Sequence, residues 1–180
     1  MELILHGVLR RSRANGPGER LVVWVQGCSL GCPGCFNPGT HASARGERRE
    51  IAELVTTAVG DGVEGVTLTG GEPLEQPAAV EAFGAALRPT GLGLIILTGF
   101  TTAEIERDPA RAAAVRHADL VVAGRYQRRR HLGAGLRGSA NKQYWWRTGR
   151  YRAADLDALP DLEVLIAADG TVTTTGMVDA

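Results

Sequence analysis

Lysine is almost absent. Lys142 is the only one, so all but one of the 20 basic residues are arginine. With so much alanine and glycine alongside, this bias reads as the base composition of a GC-rich genome, not as a binding signal. Excess charge of either sign is absent too. Twenty acidic residues balance the 20 basic ones. That removes the broad field on which a nucleic acid or an anionic membrane would condense. Neither a long apolar run nor an N-terminal apolar segment is found, so no membrane span and no secretory leader are expected. There are three cysteines and no fourth. An odd, clustered set argues against a disulfide framework and predicts a reducing, cytoplasmic compartment. Repeats and low-complexity linkers are also missing. The 180 residues suit a single domain, 1–180, large enough for a hydrophobic core.

What is present alternates. Leu3 to Arg10 reads as a strand, Asn15-Gly-Pro-Gly18 as a tight turn, and Arg20 to Gln26 as a buried strand. Arg48 to Val59 has helical spacing, with Ile51, Leu54, Val55 and Val59 recurring on one face. Gly65 to Thr69 is a short apolar strand, Pro77 to Leu87 a helix, and Leu92 to Thr98 the clearest buried strand. Thr101 with Glu104 forms a capping-box signal for a helix through Arg107, and Pro109 to Val115 forms another helix. Asp119 to Ala123 is again a strand, and Leu162 to Thr175 is a hairpin about Asp169-Gly170. Near-continuous apolar strands alternating with helices predict an α/β fold with a mostly parallel sheet and a C-terminal β-hairpin. Functional groups in such sheets gather at the carboxyl ends of the strands. The cysteine loop, Gly70-Gly71-Glu72-Pro73 and Thr98-Gly99-Phe100 all fall there.

All three cysteines lie in Cys28-Ser-Leu-Gly-Cys32-Pro-Gly-Cys35. Three readings compete. Free cysteines are often small buried hydrophobes, but three in eight residues beside glycine and proline is not core patterning. A zinc site would need a fourth ligand, which His41 could supply, or a water. An iron–sulfur cube needs four thiolates to be saturated. Three would leave one iron open to another ligand. The interposed glycines let the backbone come close and donate N–H bonds to sulfur.

Cys-x3-Cys-x2-Cys after a strand resembles the signature of the radical S-adenosylmethionine (SAM) superfamily. More closely, the chain is similar to the activating proteins of glycyl-radical enzymes, especially the anaerobic ribonucleotide reductase activating family. Asn15-Gly-Pro-Gly-Glu-Arg20, Gln26-Gly-Cys28 and Cys32-Pro-Gly-Cys-Phe-Asn37 carry the resemblance first. Thr69-Gly-Gly-Glu-Pro-Leu74, Leu97-Thr-Gly-Phe100, Val122-Ala-Gly-Arg-Tyr126 and Leu136-Arg-Gly-Ser-Ala-Asn141 follow in order. The series covers about the first 145 residues. It departs from the family pattern at His41, usually aromatic, at Ala123, usually aspartate, and at Leu97, usually tryptophan.

The resemblance implies a partial, open (β/α) barrel, since 180 residues fall short of the about 250 of a full eight-fold barrel. It implies a cluster loop over 26–41 and a C-terminal extension from about 146 to 180. It implies a 4Fe-4S cluster on Cys28, Cys32 and Cys35, with SAM on the fourth iron. Reductive cleavage of SAM would give methionine and a 5′-deoxyadenosyl radical. Gly34 and Phe36 would line the adenine, beside Asn37, though Phe36 fits a core position equally well. Gly70, Gly71 and Pro73 would shape a SAM-binding turn, and Glu72 would accept from the SAM ammonium. The plain alternative there is a strand-to-helix turn. Thr98 and Gly99 would face SAM, or Thr98 would cap the next helix. Arg137, Ser139 and Asn141, read as a loop, would contact SAM or staple that loop.

Implied partners are a glycyl-radical enzyme or another protein or peptide substrate, and a low-potential electron donor such as a flavodoxin or ferredoxin. No nucleic acid and no membrane are expected. The run Arg125, Arg128, Arg129, Arg130 reads first as a solvated face and second as a docking patch for an acidic redox protein. Tyr144-Trp145-Trp146 packs on the sheet or covers the substrate mouth. Two other functions stay open: a radical SAM tailoring enzyme acting on a peptide or small molecule, and a non-catalytic iron–sulfur or zinc protein.

Overall fold

The computed structural model describes residues 1–177. Its centre is a seven-stranded sheet in the order β3-β1-β2-β4-β5-β6-β9. The four inner strands are β2 (Arg20–Val25), β4 (Gly65–Gly70), β5 (Gly93–Leu97) and β6 (Leu120–Ala123). They run parallel to one another. Their sequences are nearly all apolar because both faces are covered. β1 (Glu2–Ser12) joins antiparallel to β2, and β9 (Gln143–Trp146) joins antiparallel to β6. The sheet is not closed on itself, which agrees with the open barrel expected above.

α1 (Ile51–Asp61), α2 (Pro77–Leu87), α3 (Thr102–Arg107) and α4 (Pro109–Ala114) are the helices connecting these strands. Side chains alternate between two cores, as period-two geometry requires. Leu21, Val23, Val66, Leu68, Leu94, Ile96 and Val121 join Val80, Phe83 and Leu87 of α2 in the main core. Ile95, Leu120 and Val122 point the other way, to a smaller core with Leu136 and with Leu156 of α5 (Ala153–Asp157). Thr101 and Glu104 make the capping box foreseen at α3. Asp108 caps α4 through the N–H groups of Ala110 and Arg111.

Two elements differ from expectation. Glu47–Glu50 is a strand, β3, so the helix foreseen from Arg48 begins only at Ile51. The reason is pairing: Glu2 to Leu5 of β1 offer a free antiparallel ladder to Glu50 to Glu47. Those hydrogen bonds override the helical preference of an Arg/Glu-rich segment. Arg137 and Ser139 lie on β8 (Arg137–Ser139), paired with β7 (His131–Ala134), and not on a loop. The aromatic triplet Tyr144 to Trp146 is an edge strand. Trp145 packs on the main core and Tyr144 on the smaller one.

The C-terminal hairpin is present as β10 (Leu162–Ile166) and β11 (Val172–Gly176). A polar clip fastens it to the turn after β1. Glu163 Oε2 accepts from Ser12 Oγ at 2.6 Å and from the Arg13 and Ala14 N–H groups. Asn15 Nδ2 donates to Thr175 Oγ1 at 2.8 Å.

Candidate functional site

The carboxyl ends of β2, β4 and β5 converge. β2 runs out into Gln26 and Gly27, and Gly27 needs its φ of 99° to turn the chain. The loop that follows is closed at its base. Gly27 N–H donates to the Thr40 carbonyl at 2.8 Å and Cys28 N–H to the His41 carbonyl at 3.2 Å. Gln26 Nε2 holds the return limb through the carbonyls of Gly39 and Ala42. The three cysteines are free thiols and partly buried. Burial pushes the Cys28 thiol up, while the Leu30 and Gly31 N–H groups pull it back. Burial likewise raises Cys35, against the Asn37 N–H that donates to its sulfur at 3.4 Å. Backbone N–H groups aimed at sulfur stabilise thiolates, the form that binds metal. The loop therefore fits an iron–sulfur ligand set. Among the described residues, no three His, Cys, Asp or Glu side chains are assembled around a single ion. His41 Nε2 is buried without a hydrogen-bond partner among them.

The turn after β4 is joined to this loop by backbone. Gly71 N–H donates to the Val25 carbonyl and Glu72 N–H to the Gly27 carbonyl, both at 2.8 Å. The glycines answer to that approach. A Cβ on Gly70 would sit 2.7 Å from Trp24 Cα, and one on Gly71 would overlap the Gly27 carbonyl oxygen. Gly71→Ala is therefore expected to cost about 1–3 kcal/mol through overpacking. Thermal melting checks this against Gly60→Ala, a position where a Cβ meets nothing within 4 Å.

Glu72 ties β4 to β5. Its carboxylate is 1% exposed and accepts from Leu74 N–H at 2.9 Å, Thr98 Oγ1 at 2.7 Å and Gly99 N–H at 2.7 Å. Burial raises its pKa, and these donors pull it back. A carboxylate has about four lone-pair sites, so one remains on Oε2. Thr98 Oγ1 also accepts from Phe100 N–H at 3.1 Å, so it serves both turns. Pro73 is buried and starts the short turn to Glu75, which accepts from Ser29 N–H across the loop.

Lys142 is the functional candidate that composition hid. Its Nζ donates to the Thr98 carbonyl at 3.1 Å. The residue as a whole is only partly buried. Burial of the ammonium end nevertheless depresses its pKa, against the pull of Glu72, Cys32 and Cys35. In the arginine run, Arg128, Arg129 and Arg130 are exposed, as a solvated face requires, while Arg125 is partly buried. Arg128 lies over Gly34, where a Cβ would come within 2.9 Å of its Cδ. Arg125 binds Glu104 at 2.6 Å, which holds that carboxyl down at about 2.

The remaining candidates divide. Phe36 packs against Tyr126 at 4.8 Å and His131 at 5.6 Å, and over Gly138. Ser139 Oγ accepts from Gln127 N–H, and Asn141 Nδ2 donates to the Arg125 carbonyl at 2.8 Å. Both staple the 125–128 segment. Arg137 stacks on Tyr144. Asn141 Oδ1 stays buried and unpartnered among the described residues. Beside Cys35 opens a cleft of about 700 Å3, lined by Trp24, Phe36 and Thr69 and walled by Thr174 and Met177 of the hairpin segment.

The open α/β barrel thus carries a three-cysteine loop at its carboxyl edge. Residues 14–145 match the family described as the 4Fe-4S single cluster domain. The chain is 28% identical to the anaerobic ribonucleoside-triphosphate reductase-activating protein of phage T4 over 142 residues, 74% of this chain and 88% of that one. It is 31% identical to the protein of the same name from Vibrio cholerae over 141 residues, 71% of this chain and 88% of that one. The pyruvate formate-lyase-activating enzyme of Listeria monocytogenes is 36% identical over 78 residues, 40% of this chain and 32% of that one. The chain belongs to this 4Fe-4S family, within the radical SAM superfamily and among the anaerobic ribonucleoside-triphosphate reductase-activating proteins.

Proposed function

We propose that the chain is a glycyl-radical activase, a radical SAM enzyme holding its cluster on Cys28, Cys32 and Cys35. The observation that carries this reading is the backbone joint between the cysteine loop and Gly70-Gly71-Glu72-Pro73, with an open cleft beside Cys35. Bound there, the reduced cluster would supply one electron to the SAM sulfonium and so give a 5′-deoxyadenosyl radical.

The chain's own groups do the rest. The Leu30, Gly31 and Asn37 N–H groups stabilise the thiolates. Glu72 offers its remaining lone pair, and Asn141 its unpartnered Oδ1, to the polar end of SAM. Gly34, Phe36, Thr98 and Gly99 rim the same edge. The cleft admits a flexible glycine-bearing segment from a partner such as anaerobic ribonucleotide reductase. Arg128, Arg129 and Arg130 are exposed, Arg128 lies over Gly34, and the three suit an acidic low-potential donor, a flavodoxin or ferredoxin. Three free thiols that must stay reduced support a cytoplasmic location. Among the described residues, no helix is long and apolar enough to cross a membrane.

A second reading has one observation in its favour. The Thr174–Met177 wall of the cleft lies beyond the matched span of 14–145. A tailoring enzyme for another peptide would be adapted there. Electron paramagnetic resonance separates the two. Protein reconstituted without oxygen and given SAM, dithionite and an anaerobic ribonucleotide reductase should yield a carbon-centred doublet on the reductase. SAM cleavage with no doublet would move the reading to the tailoring enzyme. A four-iron protein that cleaves no SAM would leave an iron–sulfur protein without this chemistry.

A further inference from the structure

We propose that Lys142 is a positioning residue that acts as the fixed counter-charge of the cluster site and makes the cluster easier to reduce. The inference rests on the cluster assignment above. It starts from the one lysine of the chain, at the step between Asn141 and β9. Both neighbours fix it: the Asn141 side chain holds the Arg125 carbonyl, and Gln143 opens the ladder with Ala123. The ammonium sits on the Thr98 carbonyl at 3.1 Å, within electrostatic reach of Glu72, Cys32 and Cys35.

Two ordinary roles do not account for it. An ion pair with Glu72 is not formed among the described residues; three neutral donors hold that carboxylate. A structural hydrogen bond to one carbonyl needs no cation, and burying one is costly. Lysine has three N–H donors, and one is used among the described residues. The position instead puts a positive charge on the Thr98 carbonyl, at the end of β5 where Glu72 and the backbone joint bring in the base of the cysteine loop. Reduction adds an electron to a group already carrying thiolate charge. A fixed cation nearby stabilises the reduced form more than the oxidised one.

The test is an EPR-monitored redox titration of anaerobically reconstituted wild type, Lys142→Met and Lys142→Arg, without SAM, after iron and sulfide have been counted. Lys142→Met should show at least a tenfold lower ratio of reduced to oxidised cluster at a fixed potential. That is a midpoint about 59 mV more negative for one electron. Lys142→Arg should stay close to wild type. An unchanged midpoint in Lys142→Met with a full cluster overturns the proposal, as does an equal shift in Lys142→Arg. Weaker SAM binding with an unchanged midpoint would instead make Lys142 a ligand contact. If Lys142→Met fails to assemble, Lys142→Gln is titrated in its place. Cluster loss in both, with Lys142→Arg intact, would place the charge in assembly and refute a role in reduction. A wild type that takes up no four-iron cluster would fail the reading beneath, whatever Lys142 does.

Discussion

Cys32→Ala should give a folded protein with no four-iron cluster and no SAM cleavage. The fold is spared because Cys32 is only partly buried and its loop is closed elsewhere, by Gln26, Thr40 and His41. A substitution of that kind costs about 0.5 kcal/mol or less. The metal site is not spared. Removing one of three thiolates leaves two protein ligands for a cube that normally takes four. Iron should fall from about four per chain to near zero, and 5′-deoxyadenosine formation should drop below detection. Circular dichroism and thermal melting monitor the fold, while iron, sulfide and nucleoside assays monitor the site. A variant that kept four irons and turnover would detach the cluster from this loop.

The largest effect on stability should come from Arg20→Met. The Arg20 side chain is fully buried. Its Nε donates to Thr67 Oγ1 at 2.8 Å, Nη1 to Tyr151 Oη at 2.8 Å and the Pro17 carbonyl at 3.2 Å. Nη2 donates to the carbonyls of Val66 at 2.7 Å and Gly93 at 3.1 Å. Gly65 and Gly16 leave the space it fills, since a Cβ on either would run into the guanidinium arm. One residue thus cross-links β2, β4, the start of β5 and the segment after β9. Methionine fills part of the volume and leaves acceptors unpaired, at about 1–3 kcal/mol for each. The relief of no longer burying a cation, which pulls the Arg20 pKa down, offsets some of this. The net loss should be about 3–5 kcal/mol. It would be read as a lower urea midpoint with an unchanged slope. A loss under about 1 kcal/mol would mean that the contacts of this side chain are replaceable.

Arg20 also shows where reading the sequence stops. Asn15-Gly-Pro-Gly-Glu-Arg20 announced a tight turn before a strand, and both are there. Nothing in that string says that the arginine turns inward, because its partners are carbonyls from Val66 and Gly93 that only the sheet order brings near. The same limit explains Lys142. Its hydrogen-bond partner Thr98, and Glu72 and the cysteines whose charges act on it, come from three different crossings of the sheet. Local signals fared better. The Thr101–Glu104 box, the buried strands and the hairpin at Asp169-Gly170 each depend on neighbours in sequence, and each was readable. β3 was missed because Glu47 to Glu50 has no strand composition of its own. It becomes a strand by borrowing the open edge of β1. Gly70 and Gly71 were legible as a special backbone. The physical reason was not, since the approaching group is the protein's own chain at Trp24 and Gly27.

The hairpin is held by its clip at Glu163 and Asn15, away from the cysteine loop, yet its last residues stand beside Cys35. Machinery and wall are thus fastened independently. Change at Thr173, Thr174 or Met177, which line the cleft and are not part of the clip, can reshape what enters without disturbing a cysteine or the Gly71 joint. On the proposed function, such a division would let one radical chemistry be kept while the molecule that receives it is traded.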